Sequence, residues 1–348
     1  MRKLKPKVSI IITNYNGGQI LLDCIESVKK IDYPNFEVIL IDDRSKDDSF
    51  EMATKNKGKL KLISSRNKVN LGFAGANNAG LELATGDYIL LLNNDTKVDK
   101  NLLAKLVDKF ESDLSIGAGQ SKIRFMDKPE YLDNAGSFLT RTGFLVHWGF
   151  GSRDSKEFNS EKKIFSAKGA CLFIRRKVID TVGLFDADFV SYIEESDFCW
   201  RVWLAGYKVI FYPETYILHK VGFTFSKQFN PITVNYNSFK NRILSLYKNL
   251  ETKNLILILI PHLFIILGLS LYYLIKLQFA KSSMIIRAIW WNVVNFQKSL
   301  KKRMIVQNLR VKTDDELFKT IMKKFVFKEM FSHFLKVEAN FATKRTTK

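Results

Sequence analysis

Three short stretches carry residue types that do chemistry. In Tyr88-Ile89-Leu90-Leu91-Leu92-Asn93-Asn94-Asp95-Thr96, a continuous apolar run ends in three small polar side chains. Hard oxygen donors there suit Mg²⁺ or Mn²⁺ holding a phosphorylated substrate. An Asn/Asp turn closing a strand is the plain alternative. The second stretch, Phe189 to Arg201, crowds Glu194, Glu195 and Asp197 at a helix start. Acids in a first turn meet the helix dipole favourably, and Asp197 with Arg201 makes an ordinary i, i+4 pair. Glu194 and Glu195 point in different directions from such a start, so at most one faces a given reacting atom. A carboxylate at a pocket mouth takes a proton from a substrate hydroxyl. The third is His219, alone after the apolar run Tyr216-Ile217-Leu218. It is structural unless the chain folds it back onto Asp95.

Strands ending in polar residues must position these groups. An apolar run without alternation reads as a strand buried on both faces of a parallel sheet, whose carboxyl ends hold ligands. Val8 to Ile12 is such a strand and ends in Thr13-Asn14-Tyr15-Asn16-Gly17-Gly18. A helix over Ile20 to Lys30 follows. Phe36 to Ile41 is the second strand, ending in Asp42-Asp43, and the next helix starts between Ser45 and Asp48. Lys59 to Ser64 reads as a third strand. Leu71 to Gly80 is rich in small residues, lets a backbone approach a ligand, and runs into a helix to about Ala84. This alternation predicts βαβ units and a mostly parallel, Rossmann-like sheet flanked by helices. Beyond it come a helix over Leu102 to Phe110 and a strand over Ile116 to Phe125. A Gly- and Asp-rich loop follows over Asp127 to Ser160, of a length that tends to carry function. Ile164 to Ile174 reads as a strand interrupted at Lys168-Gly169-Ala170, and Arg175 to Val182 as a short helix. Val209 to Phe211 is a further strand.

The chain has 348 residues and a formal charge of +20, which calls for an anionic partner. No nucleic-acid module is visible, so a membrane surface or phosphorylated substrates rank above nucleic acid. Gly72-x-x-Gly75 is not the dinucleotide fingerprint, and no Walker A sequence occurs. Cys24, Cys171 and Cys199 lie far apart without zinc spacing, which reads as free thiols in a reducing compartment. The run Val8 to Ile12 is too short for a signal-peptide core, so the amino-terminal part is expected in the cytoplasm.

Taken together, these pieces resemble glycosyltransferase family 2, the inverting enzymes of GT-A fold, and in particular its rhamnosyltransferase-like members. The carriers are Val8 to Gly18, Ile41 to Ser49, Asn70 to Gly80, Leu92 to Thr96, Gly169-Ala170, Gly183 to Asp186 and Glu194 to Arg201, over about residues 7 to 222. The resemblance implies a nucleotide-sugar donor with a UDP or dTDP base, bound by Thr13, Asn14, Tyr15, Asp42, Asn70, Gly72, Asn78, Asn93 and Asn94. Asp42 would read the pyrimidine. It implies Mg²⁺ or Mn²⁺ at Asp95 and His219, with Asn93 where the family usually has an Asp. It places the catalytic base at Glu195, where Asp is usual, and the acceptor against Glu194, Gly169 and Ala170. The acceptor would be a lipid-linked or cell-surface glycan. A nucleotidyltransferase would need a basic Gly-rich loop, and Thr13 to Gly18 holds no Lys or Arg. A non-enzymatic glycan-binding protein on the same fold has no need of Asp42, Asp95 and Glu195 together.

Residues 1–235 thus form the nucleotide-sugar domain, and 236–348 a basic, helical, membrane-associated region. Leu255 to Ile275 is apolar and long enough to span a bilayer once. A single span would carry the basic tail from Lys298 to Lys348 across, against the positive-inside rule. With Ile285 to Phe296 as a second segment, a re-entrant hairpin or an in-plane helix pair is expected, its catalytic domain on the cytoplasmic face. A buried helical domain with a solvated basic face is the alternative. The sequence does not give the oligomeric state.

Overall fold

The structure, a computed structural model, describes residues 5–220 and 230–323. The basic residues of Met1 to Leu4 and of the tail beyond 323 therefore lie outside the described residues. The first half alternates as the sequence predicts: β1 (Val8–Asn14), α1 (Gly18–Val28), β2 (Phe36–Asp42), α2 (Ser49–Lys55), β3 (Leu62–Arg66), α3 (Gly72–Leu83) and β4 (Tyr88–Asn93). After it come β5 (Thr96–Val98), α4 (Leu102–Ser112), β6 (Ile116–Phe125), β7 (Leu132–Asn134), β8 (Ser137–Leu139), β9 (Leu145–His147) and β10 (Lys162–Lys163). The domain closes with β11 (Cys171–Arg175), α5 (Arg176–Val182), α6 (Glu194–Leu204) and β12 (Lys208–His219).

One sheet runs β10-β12-β6-β11-β4-β1-β2-β3, with β5 on β12 and β7 on β6. The half β3-β2-β1-β4 is parallel. The other half is mixed, because β11 enters antiparallel between β4 and β6. Side chains of β1 and β4 divide by alternation between two cores: Ile11, Ile89 and Leu91 on one face, Val8, Ile10, Leu90 and Leu92 on the other. The uninterrupted apolar runs reflect burial on both faces, at about 1.5–3 kcal/mol per large side chain.

Several boundaries differ from the sequence reading. The third strand begins at Leu62, because the turn at Gly58 (φ +57) occupies the residues before it. The Asp127–Ser160 loop is built on three short strands. The strand expected over Ile164 to Ile174 is regular only from Cys171; at the interruption, Lys168 N donates to the Gln120 side chain. Conversely, β12 joins two expected pieces into one strand with an irregularity between Tyr212 and Tyr216. Pro213, which has no N–H to give a ladder, sits in that irregularity.

The carboxy-terminal region comprises α7 (Pro231–Asn249), α8 (Thr252–Ile275, beginning in a short turn and a π-helical stretch), α9 (Phe279–Val294), α10 (Phe296–Asn308) and α11 (Asp314–Ile321). Residue 235 falls inside α7. Leu246, Leu250, Ile258, Val306 and Ile321 belong to the same core as β4 and α6. Among the described residues, α8 is the one helix long and apolar enough to cross a membrane. Its middle is docked on the loop between β8 and β9: His262 is fully buried, and its Nδ1 lies 2.8 Å from the Thr142 carbonyl. The outer side of the α8–α9 pair exposes Phe264, Leu271, Ile275, Leu277, Phe279 and Trp290.

Candidate active site

Parallel register brings the chemistry to one sheet edge. Asn14 of β1 pairs with Asp42 of β2, and Thr13 with Asn93 of β4. There a buried polar network closes. Asn94 Nδ2 donates to Asn14 Oδ1 (2.9 Å), and Asn14 Nδ2 donates to Asp42 Oδ1 (3.0 Å) and to Ser45 and Ser49. Gly17 permits this closeness, since a Cβ there would stand 2.3 Å from Asn14 Oδ1. Asp42 is fully buried, and its other oxygen accepts from Ser45 N (3.0 Å) and Arg66 Nε (2.8 Å). The carboxylate forms the floor beneath the loops.

Asp43, which the sequence reading did not single out, organises the Gly-rich segment. Its carboxylate accepts from Leu71 N (2.8 Å), Gly72 N (2.9 Å) and Asn67 Nδ2, while its carbonyl accepts from Asn70. Gly72 has φ +70, and a Cβ on it would meet Val190 at 2.6 Å. Asn70 is exposed, and Thr13 and Tyr15 are half-buried. Asn78 donates to and accepts from the Phe185 backbone (2.8 and 3.1 Å), tying α3 to the segment before α6.

At the end of β4 the chain doubles back through β5 onto β12, pairing Thr96 with His219. His219 Nε2 thereby comes within 3.2 Å of Asp95 Oδ1. The pair is at ion-pair distance but outside hydrogen-bond alignment, so Asp95 Oδ1 is buried without a donor, as is Asn93 Oδ1. The other ring nitrogen, Nδ1, lies 2.8 Å from Asp133 Oδ2, which fixes the imidazole orientation. Asp133 also accepts both oxygens' worth of contact from Lys168 Nζ (2.8 and 2.6 Å). Burial alone would raise the Asp133 pKa; Lys168 and His219 hold it well below the usual carboxylate range. Burial alone would lower the His219 pKa, but Asp95 and Asp133 raise it.

Two buried oxygens without donors beside an oriented imidazole fit a divalent cation. Among the described residues, no three His, Cys, Asp or Glu side chains converge to hold one unaided. Such a donor set suits a Mg²⁺- or Mn²⁺-type ion that takes its remaining ligands from outside the protein.

Glu194 and Glu195 open α6 behind a strained turn. Val190, Tyr192 and Ile193 have φ of +61, +73 and +73, a region costly for β-branched side chains. Asn241 of α7 holds the turn: its Nδ2 lies 2.8, 2.9 and 2.7 Å from the carbonyls of Phe189, Ser191 and Tyr192. Ala74 N adds a bond to Val190 O (2.9 Å). Burial, and then the charge of Glu195, raises the Glu194 pKa well above its usual value, and Glu194 Oε2 has no donor. Glu195 is half-buried; burial raises its pKa while the Lys168 ammonium opposes the rise. Gly169 faces Phe73, and the Ala170 carbonyl accepts from Asn93 N (3.3 Å). Asp197 is no surface helix partner of Arg201: it is fully buried and also binds Lys248 (3.1 Å) and Asn249 (2.8 Å).

The structure thus brings Asn14, Asp42, Asn93, Asn94, Asp95 and His219 to one edge, and electrostatically links Glu195 to it through Lys168. Asp43, Asp133 and Asn241 were missed. Asp133 lies in the long loop whose length already marked it as function-bearing. Asn241 belongs to a polar stripe, Asn237-Asn241-Ser245-Lys248, which in sequence looks like a solvated face but is buried.

Residues 9–183 match the family model described as "Glycosyl transferase family 2". The poly-beta-1,6-N-acetyl-D-glucosamine synthase of Staphylococcus aureus strain COL is 24% identical over 208 residues, 59% of this chain and 48% of that protein. The chain spans about half the length of the curated relatives it matches. S. aureus TarS 1-349, solved in complex with UDP-GlcNAc, superposes with a TM-score of 0.55 at 19% identity, over 81% of this chain and 79% of that one. The mannosyltransferase PcManGT of Pyrobaculum calidifontis, solved with GDP-Man and Mn²⁺, gives 0.52 at 16% identity, over 84% and 76%. These likenesses show the GT-A fold.

Proposed function

This chain belongs to glycosyl transferase family 2, and from that premise we propose that it is a membrane-associated inverting enzyme. It moves a sugar from a UDP- or dTDP-sugar to a hydroxyl of a lipid-linked or cell-surface glycan, with Glu195 as general base. The observation that carries this reading is the line of groups from Asp95 through His219, Asp133 and Lys168 toward Glu195. In this reading, one end of the line binds phosphate and the other accepts the proton. The polymer synthase relative and the nucleotide sugars bound by the fold neighbours support the substrate class.

In this reading, Thr13, Tyr15, Asn70 and Gly72 line the donor pocket. Asp42, Asn14, Asn94 and Asn78 hold its walls in place through the bonds described above. Asp95, with Asn93 and His219, would hold Mg²⁺ or Mn²⁺, which when bound would neutralise charge on the leaving nucleoside diphosphate. Asp133 orients His219. Glu195 takes the proton from the attacking hydroxyl, and the Lys168 charge favours its ionised form. Glu194, whose ionisation burial disfavours, contacts the acceptor, which rests against Gly169 and Ala170. One base on one face gives inversion; the paired carboxylates of a retaining glycosidase are not required.

The exposed apolar side of α8 and α9, rimmed by Lys253, Lys276, Arg287 and Lys298, supports an in-plane seat on an anionic membrane. The bond between His262 and Thr142 keeps the middle of α8 on the protein, which favours the in-plane arrangement over a span. The basic rim supports a seat on the cytoplasmic face. In this reading, residues 1–235 supply the chemistry and 236–348 the seat. Donor-dependent nucleoside diphosphate release, screened over UDP- and dTDP-sugars with a lipid extract, tests the reading.

A further inference from the structure

The ladder between β4 and β11 runs past the strand ends. Leu92 pairs with Cys171, and one place further Asn93 N donates to the Ala170 carbonyl (3.3 Å). Lys168 stands two residues beyond Ala170, at the sheet edge that holds Asn93, Asn94 and Asp95. Its backbone is fixed there. Lys168 N donates to Oε1 of the fully buried Gln120 (2.8 Å), and its carbonyl accepts from Cys171 N (3.1 Å). Its ammonium meets both oxygens of Asp133, at 2.8 and 2.6 Å, and bonds no other side chain among the described residues. An ammonium has three N–H donors, so at least one is unspent. The Lys168 side chain is 29% exposed, whereas that of Asp133 is sealed. Neutralising Asp133 requires neither the remaining donor nor the opening to solvent.

The surroundings say what that donor meets. The Lys168 charge is felt at both ends of the site, where it disfavours protonation of Glu195 and of His219. In an inverting transfer the hydroxyl attacks the anomeric carbon from the base side, and the diphosphate departs on the opposite side. A donor laid between the Asp95 end and the Glu195 end therefore carries its diphosphate past Lys168.

We propose that Lys168 is a catalytic residue that donates a hydrogen bond to a phosphate oxygen of the donor's diphosphate. This deepens the transferase reading above and rests on it for the donor. Lys168 gives up no proton; the bond to the sugar breaks and the diphosphate leaves as the anion. Charge grows on those oxygens as the sugar departs, so a fixed ammonium stabilises the leaving group more than the bound donor. Asp133 holds the ammonium in place beforehand, which lowers the ordering cost of the contact.

The test is calorimetric titration of the full chain in a neutral detergent, without turnover. The probes are UDP against uridine and dTDP against thymidine, in EDTA and then with Mn²⁺. In EDTA the wild type binds its nucleoside diphosphate at least tenfold more tightly than the nucleoside. Lys168→Met weakens the diphosphate by roughly 10- to 100-fold, the loss of a charge-assisted hydrogen bond, and leaves nucleoside affinity within about twofold. Lys168→Arg keeps part of the preference. Lys168→Met leaves the Asp133 carboxylate buried with one cation fewer. The double variant with Asp133→Asn removes both charges, and it serves where the single variant fails to fold. It shows the same loss, whereas Asp133→Asn alone keeps the preference. A diphosphate preference retained in EDTA by Lys168→Met or by the double variant overturns the proposal. So does an equal loss in Asp133→Asn alone, or a wild type that binds UDP and dTDP no better than the nucleosides. A wild type that binds neither nucleoside diphosphate even with Mn²⁺ overturns the donor reading itself, and the proposal with it.

Discussion

His219 Nε2 lies 3.2 Å from Asp95 Oδ1 although the two residues are far apart in sequence. The antiparallel pairing of β5 with β12 makes the meeting, and Asp133 fixes the ring that completes it. Removing the fixing residue tests the arrangement. Asp133→Asn keeps the shape but loses the charge held by His219 and Lys168. Divalent-ion affinity or activity falls by roughly 10- to 100-fold, as for other outer-shell partners of metal-binding histidines. A Mn²⁺ titration of nucleoside diphosphate release reads the change; an unaltered titration curve removes Asp133 from the account.

Asn241 reaches three carbonyls of the turn that precedes Glu194 and Glu195. Asn241→Ala frees those carbonyls and the left-handed residues Val190, Tyr192 and Ile193. Stability falls by about 1–3 kcal/mol, the cost of unsatisfied buried groups. Beyond that, kcat falls while the donor KM holds, because the turn carries the proposed base. A donor KM that rises along with the fall in kcat, so that kcat/KM falls further than kcat, would contradict this.

The pH profile follows from Glu195. Burial raises its folded-state pKa, so the base form is gained as pH rises through a value higher than that of an ordinary glutamate. Activity therefore climbs on the acidic limb later than an unperturbed carboxylate would allow. Lys168→Met removes the charge that opposes the shift and moves this limb to higher pH. The sign for stability is the reverse: a raised acid pKa means that stability falls as pH rises from the unfolded value through the folded one. The pH dependence of kcat/KM in wild type and Lys168→Met checks the first claim, and a limb moving to lower pH contradicts it.

The proposed membrane seat rests on exposed apolar residues, not on the buried side of α8. Phe264→Asp with Trp290→Asp weakens sedimentation with anionic vesicles at least tenfold, while Ile266→Val, at a buried position, leaves it unchanged. Binding that survives the double substitution places the membrane contact elsewhere.

Much of the fold was legible because apolar runs buried on both faces leave a plain signature. β1, β2, β4 and β6 stand within a residue or two of their expected bounds. What local pattern could not show was pairing at a distance. The antiparallel insertion of β11, the return of β5 onto β12 and the burial of Asp42 all depend on partners outside the local window. The charged residues of α7 mislead in the same way. Lys248 looks solvated, yet it is buried against Asp186 (2.9 Å) and Asp197 (3.1 Å). The site was legible as residue types; that Lys168 and Asp133 connect its two ends was not, since neither has local spacing to mark it.

The central claim is that Glu195 accepts the acceptor's proton in a metal-assisted transfer. Its most direct measurement is donor-dependent nucleoside diphosphate release by the full chain with Mn²⁺ and a lipid extract, comparing wild type with Glu195→Gln. The account predicts release from one UDP- or dTDP-sugar, abolished by EDTA and lowered about 10²- to 10⁴-fold by the substitution, with donor binding retained. Release by Glu195→Gln at the wild-type rate would contradict it.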